Sequence, residues 1–322
     1  MGRPRVTVSR RLPTAVEDRL QRQFDTVLNP SDVPLSGGAL VEALESSDAL
    51  VSTLGDPISA ELLSRCRPRA TLIAHFGVGY DNIAVDAARE RGITVTNTPG
   101  VLTEDTADLA IALVLASARR MAEGDRELRA AAWTGWRPTH LLGTRVSGKV
   151  LGLVGFGRIA QAVARRARLG FGMQVVAWSR SLTDELAAAH GVRRIADLDA
   201  LLQHSDFVSL HVPGNADTRH LIDASRLSQM PSHAHLVNTA RGSVVDEDAL
   251  IHALANRRIA GAGLDVFAQE PFVPDTLLAL PNVCTVPHMA SATVESRTAM
   301  GMLVVENLEA YFAGQRPPNQ IN

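Results

Sequence analysis

The chain has 322 residues, which at about 150 per domain suggests two domains, each long enough to close its own core. Apolar residues make up 46%, charged residues 20% and aromatics 4%, with a formal charge of −2, so disorder, a fibrous repeat and polyanion binding are all disfavoured. Of the 32 basic residues only Lys149 is a lysine, and it follows Arg145-Val146-Ser147-Gly148, which excludes a P-loop and its triphosphate chemistry.

The N-terminus, Met1-Gly2-Arg3-Pro4-Arg5-Val6-Thr7-Val8, has no apolar signal core. Short β-branched runs at Val6 to Val8, Ala49 to Thr53, Thr71 to His75 and Ile93 to Asn97 read as strands. Amphipathic segments at Thr14 to Phe24, Ile58 to Cys66 and Asn82 to Arg91 read as helices between them. Such alternation implies a parallel sheet covered on both faces. A long helix then begins near Thr103, with Glu104 and Asp105 in its first turn and Arg119 and Arg120 beyond, and is expected to cross between domains. Its apolar stretch, Ala107 to Ala118, contains Asp108 and cannot span a bilayer. After a loop with Trp133, Trp136 and Pro138, a second series of strands follows. These are Val150 to Val154, Gln174 to Trp178, Phe207 to His211, His235 to Thr239, Gly261 to Asp265 and Val283 to Val286. Cys66 and Cys284 have no pairing or metal-ligand spacing. A cytoplasmic protein with no metal, membrane or nucleic-acid partner is expected.

Strand Val150 to Val154 runs into Gly155-Phe156-Gly157-Arg158-Ile159-Ala160 and a helical stretch, Gln161 to Arg168. This is G-x-G-x-x-A in the context that binds dinucleotides. The first glycine makes the tight turn, the second lets backbone approach a pyrophosphate, and the small third residue lets helix and strand pack closely. The next strand ends in Ser179-Arg180-Ser181, where an acid would ordinarily receive the ribose hydroxyls of NAD. A guanidinium between two hydroxyls suits a 2′-phosphate, which favours NADP(H) and leaves NAD(H) open. In the competing reading Arg180 is a solvated surface arginine.

Three later strands each end in a polar residue: Arg241-Gly242, Asp265 leading to Glu270-Pro271, and Pro287-His288. An arginine fork binds a carboxylate, and an imidazole held by an acid exchanges a proton with a carbonyl. Singly, each has a plain alternative as a loop cation, a surface acid or a buried structural histidine. His140, His204, His233, His235 and His252 lack ligand spacing and are assigned to structure or surface, while His75 and His211 stand at strand ends. No G-x-S-x-G elbow supports a serine hydrolase.

The chain resembles the D-isomer-specific 2-hydroxyacid dehydrogenases over nearly its full length. The motifs are Phe76 to Ile83 (FGVGYDNI), Thr98 to Asp108 (TPGVLTEDTAD), the glycine turn, Asn238 to Gly242 (NTARG), Gly263 to Phe267 with Glu270-Pro271, and Pro287-His288. It is most similar to the glyoxylate/hydroxypyruvate reductase branch, which includes hydroxyphenylpyruvate reductases, through Trp136 to Gly143, Ser179-Arg180-Ser181 and Glu270 to Pro274. Ala160 stands where a third glycine is usual, and Met289-Ala290 where Ile/Leu-Gly is common; the second change narrows the space near the nicotinamide.

The resemblance implies an α/β chain of two doubly wound parallel-sheet domains. A flavodoxin-like substrate domain is formed by residues 1–101 and 288–322, an inserted Rossmann domain by 102–287, and the chain forms a homodimer. The cleft between the domains is then the site. Substrate would meet Leu54, the backbone of Val78 and Gly79, Arg241 and His288, with Trp136 reaching into the partner subunit's pocket. His288, oriented by Glu270, would protonate the carbonyl oxygen as hydride arrives. To the cofactor the resemblance assigns the turn Gly155, Phe156, Gly157, Arg158 and Ile159, and the run Ser179, Arg180 and Ser181. It adds His211, Val212, Pro213 and Thr218, then Thr106, Thr239, Ala240, Arg241, Asp265, His288 and Ala290.

The activity implied is NAD(P)H-dependent reduction of a small 2-oxoacid, glyoxylate or hydroxypyruvate, to a D-2-hydroxyacid. Two alternatives stay open: a larger acid such as hydroxyphenylpyruvate or a keto sugar acid, and a non-catalytic, dinucleotide-sensing protein of the corepressor type.

Overall fold

The computed structural model describes residues 2–322. The chain divides into two compact units. One joins the chain up to Leu102 with Ser291–Asn322, and the other is Thr103–Ala290.

The first unit holds five strands: β1 (Arg5–Val8), β2 (Asp25–Val27), β3 (Ala49–Thr53), β4 (Leu72–Phe76) and β5 (Thr94–Thr96). They pair in parallel in the order β2-β1-β3-β4-β5, the flavodoxin-like winding. Because side chains alternate along a strand, β3 and β4 feed two cores. Val51, Leu72 and Ala74 pack with Val16, Leu20, Met300, Val304 and Leu308, while Leu50 and Ile73 pack with Leu40, Leu44, Ile58 and Leu63. The C-terminal helix Val294–Phe312 thus returns to the N-terminal sheet. It comes so close to helix Thr14–Gln23 that a Cβ on Gly301 would lie 2.4 Å from Val16 Cγ2.

The second unit holds seven parallel strands: β6 (Val150–Val154), β7 (Gln174–Trp178), β8 (Arg193–Arg194), β9 (Phe207–Leu210), β10 (His235–Asn238), β11 (Gly261–Leu264) and β12 (Val283–Thr285). Their order is β12-β11-β10-β9-β6-β7-β8. The winding reverses between β6 and β9, paired at Val154 and Leu210, and the crevice beyond the carboxyl ends of two such strands is where doubly wound sheets bind ligands.

Helix Thr103–Ala118 opens this second unit at the point where the chain leaves the first. Its Ala107, Ala110, Leu113 and Val114 join the core of Leu151, Leu153 and Val163, and a Cβ on Gly263 of β11 would lie 2.9 Å from Leu113 Cβ. Glu104 and Asp108 also pair with Arg166 of helix Arg158–Phe171. The helix ends at Ala118 because Arg120 adopts a left-handed conformation (φ 53°), and a second helix, Met121–Arg129, follows. The later division between units falls after Ala290 rather than before His288, since the Met289 and Ala290 N–H groups donate to the Asp265 carboxylate at 2.6 and 3.0 Å. Among the described residues no helix is long and apolar enough to cross a membrane.

Candidate active site

The turn after β6 meets the backbone that follows β9. Gly155 sits at φ 93°, and a Cβ there would lie 2.6 Å from the His211 carbonyl oxygen, so only glycine fits. Gly157 precedes helix Arg158–Phe171 with no side-chain cap, and a Cβ on it would meet nothing within 4 Å. The first N–H groups of a fourteen-residue helix are thus uncapped beside a glycine with room around it, as a pyrophosphate requires. Ala160 is fully buried in the core under the turn, which explains why a small residue stands there. Nearby in sequence to β10, Thr239 Oγ1 is buried with no hydrogen-bond partner, a polar atom left for a ligand. The chain's own residues thus fit a bound dinucleotide.

At the end of β7, Ser179 is half-buried and Arg180 and Ser181 are exposed. Arg180 is not merely solvated: its Nη1 donates to Asp217 Oδ2 at 2.8 Å. In the same loop, Thr218 Oγ1 donates to the Pro213 carbonyl at 2.6 Å, so this hydroxyl braces residues 213–218.

Arg241, Glu270 and His288 converge although they follow three different strands. Arg241 is brought inward by Gly242, whose missing side chain is compulsory, since a Cβ would overlap the Phe267 backbone, 1.9 Å from its carbonyl carbon. Asn238 fastens the turn, donating to the Arg241 carbonyl at 2.9 Å and accepting from the Ala240 N–H at 3.0 Å. Glu270 is held through both oxygens. Oε1 accepts from the Phe267 N–H at 2.9 Å and Oε2 lies 2.7 Å from His288 Nδ1. Burial opposes ionisation of Glu270, but the His288 ring, the Phe267 N–H and the nearby His288 and Arg241 charges outweigh it, leaving the carboxyl below its ordinary range. The pair is therefore a carboxylate and an imidazole ring aligned by a charge-assisted bond.

His288 is in the left-handed region (φ 47°), a conformation that costs a non-glycine residue about 1–2 kcal/mol. It is held there by its N–H, which donates to Asp265 O at 2.9 Å and Val286 O at 3.1 Å, and by the Asp265 carboxylate under the next two N–H groups. Asp265 is fully buried, and burial raises its carboxyl above the usual value despite those donors and the His288 charge. The strain orients the imidazole on a short, over-determined loop.

Burial pushes His211 and His235 down to about 4, so neither ring is an imidazolium at neutral pH. His211 Nε2 lies 2.9 Å from Ser209 Oγ, and His235 lies between Ser117 and Thr144 hydroxyls. His140 pairs with Glu127 and His233 with Asp206. His288 likewise pairs with a carboxylate, and what its pair with Glu270 adds is the Arg241 charge close to that carboxylate.

The remaining expected positions are spread more widely. Phe156, Thr106 and Ala290 are buried, Ile159, Val212 and Ala240 half-buried, and Arg158 and Pro213 exposed, all in the second unit. Leu54, Val78 and Gly79 belong to the first unit, in the turns after β3 and β4. Trp136 lies in the irregular segment before β6 and is 82% exposed. Asp217 and the constraint on Gly242 escaped the sequence reading; the first partner lies 37 residues from Arg180 and the second is a backbone contact, and neither leaves a motif.

Residues 111–290 match the family model described as D-isomer specific 2-hydroxyacid dehydrogenase, NAD binding domain. The chain is 48% identical to a glyoxylate reductase of Korarchaeum cryptofilum, covering 99% of this chain and 96% of that one. It is 45% identical to a glyoxylate reductase of Thermococcus litoralis, covering 99% and 97%. Among solved structures it is similar to the NADPH-dependent glyoxylate/hydroxypyruvate reductase of Sinorhizobium meliloti in complex with NADP and malonate, with TM-score 0.87, 37% identity and coverage of 99% and 97%.

Proposed function

The chain belongs to the D-isomer-specific 2-hydroxyacid dehydrogenase family, and from that premise we propose an NADPH-preferring reductase of glyoxylate and hydroxypyruvate. The observation that carries the reading is the His288–Glu270 pair at 2.7 Å beside the Arg241 charge. A nicotinamide dinucleotide supplies the hydride when bound. The Arg241 guanidinium, with the Val78 and Gly79 N–H groups, binds the substrate carboxylate, and Leu54 borders the substrate. Glu270 accepts from His288 Nδ1 and stabilises the imidazolium, so the opposite nitrogen donates its proton to the carbonyl oxygen. The product is a D-2-hydroxyacid wherever it is chiral.

Cofactor choice falls to Arg180. Its pair with Asp217 is exposed at both ends, 65% and 68%, and such surface pairs are worth only about 0–1 kcal/mol. A phosphate bond to a guanidinium is worth about 1.5–3 kcal/mol, so the guanidinium exchanges Asp217 for a 2′-phosphate, with Ser179 and Ser181 alongside. NAD(H) remains a substrate because Asp217 keeps Arg180 satisfied without the phosphate. Arg180→Ala is expected to raise KM for NADPH by about 10- to 100-fold and leave NADH nearly unchanged. Asp217→Asn, by removing the competitor, lowers KM for NADPH about two- to fivefold. An unchanged NADPH KM in Arg180→Ala removes this residue from the assignment.

A cytoplasmic homodimer completes the proposal. Met121, Leu128, Trp133, Trp136 and Leu142 are all at least half exposed along one segment, a concentration of apolar side chains suited to cover by a second copy, with Trp136 entering the partner. Light scattering is expected to give twice the 34.5-kDa chain mass; a monomer contradicts it.

A further inference from the structure

We propose that His75 is a positioning residue that anchors the far side of the turn whose Val78 and Gly79 N–H groups meet the substrate carboxylate, an inference that rests on the assignment of that turn to substrate.

His75 ends β4 one residue short of Phe76 and is fully buried. Its Nε2 lies 3.0 Å from the Gly79 carbonyl oxygen and its Nδ1 lies 3.0 Å from Ser52 Oγ, on neighbouring β3. A carbonyl only accepts, so Nε2 bears the proton. In the neutral ring Nδ1 then accepts from the Ser52 hydroxyl, which is itself fully buried. The imidazole is a strut between the sheet and the turn.

The ring fits only because residue 77 is glycine. A Cβ there would lie 2.6 Å from His75 Nε2 and 3.1 Å from Leu54 Cδ2. Two more donors act beside it: Asn97 Nδ2 donates to the Val78 carbonyl at 2.8 Å, and the Thr98 N–H donates to the Gly77 carbonyl at 2.9 Å. Three consecutive carbonyls, at 77, 78 and 79, are thus each bonded to a different donor. The N–H groups of Val78 and Gly79 have no partner among the described residues. The Val78 N–H shares its peptide with the Gly77 carbonyl that Thr98 holds, and the Gly79 N–H shares its peptide with the Val78 carbonyl that Asn97 holds. His75 fixes the next peptide, Gly79–Tyr80, so Gly79 is pinned on both sides and its N–H keeps its aim, the arrangement of an anion-binding nest. His75 touches no substrate. It acts by holding the Gly79–Tyr80 peptide and with it the backbone of Gly79, and its loss is expected to appear in substrate affinity rather than in the proton-transfer step.

The test compares His75→Leu, His75→Gln and Gly77→Ala in steady-state assays with glyoxylate and NADPH, alongside NADPH binding by fluorescence quenching. His75→Leu is expected to raise KM for glyoxylate about tenfold or more, with kcat within about threefold and NADPH affinity unchanged. His75→Gln, whose amide nitrogen sits where Nε2 does, restores most of the wild-type KM. Gly77→Ala displaces the ring and reproduces the KM defect with His75 present, which decides the matter if His75→Leu does not fold. A glyoxylate KM unchanged in Gly77→Ala or in folded His75→Leu overturns the role of His75 while leaving the reductase reading intact. A wild-type protein that turns over no 2-oxoacid overturns both.

Discussion

Replacing His288 with asparagine is expected to lower turnover of glyoxylate by about 10²–10⁴-fold while NADPH binding survives, because general acid catalysis contributes a factor of that size. Asparagine is the apt replacement. It tolerates the left-handed backbone that His288 adopts at φ 47°, so the loop loses its titratable ring without an added conformational penalty. The Asp265 carboxylate still holds the Met289 and Ala290 N–H groups, which preserves the loop's path. The loss then reports the proton donor and not a collapsed site. Turnover by His288→Asn within a few-fold of wild type contradicts the role, since burial leaves His211 and His235 neutral at working pH and neither is available as a substitute.

Arg241→Gln is expected to raise KM for glyoxylate by about 100-fold or more, the loss of two charge-assisted bonds from a guanidinium fork to a carboxylate. Arg241→Lys keeps the charge without the fork and falls between the two. The substitution also withdraws a positive charge that helps keep Glu270 ionised, so kcat declines as well, though by less than KM rises. Because Gly242 and Asn238 set the backbone here, the fold tolerates the exchange of one half-buried side chain. Steady-state kinetics of the two variants decide it: an unchanged KM in both assigns carboxylate binding elsewhere.

How far these features are legible in the sequence depends on where their physical cause resides. Strands β6 and β7 are readable to the residue, since a strand covered on both faces is a continuous apolar run. β2 and β8 escape because they are short edges whose side chains are mostly exposed, Arg193 and Arg194 among them, and an edge without a buried face carries no alternation. The break after Ala118 is equally silent: the left-handed residue is Arg120, not the glycine that ordinarily announces such a turn. Within the site, Gly155 is legible because its backbone conformation demands glycine. Gly242 is visible as a motif, but its reason, the Phe267 backbone 25 residues on, exists only in three dimensions. The same holds for His75 and Asp217, single polar residues whose partners lie at no characteristic spacing.

Steady-state turnover of the wild-type chain with NADPH and with NADH, on glyoxylate, hydroxypyruvate and hydroxyphenylpyruvate, tests the central claim most directly. Glyoxylate and hydroxypyruvate are expected to be reduced with the higher kcat/KM, and NADPH to be preferred over NADH. Turnover of none of the three acids with either cofactor would contradict the assignment and leave the chain a dinucleotide-binding protein without this chemistry.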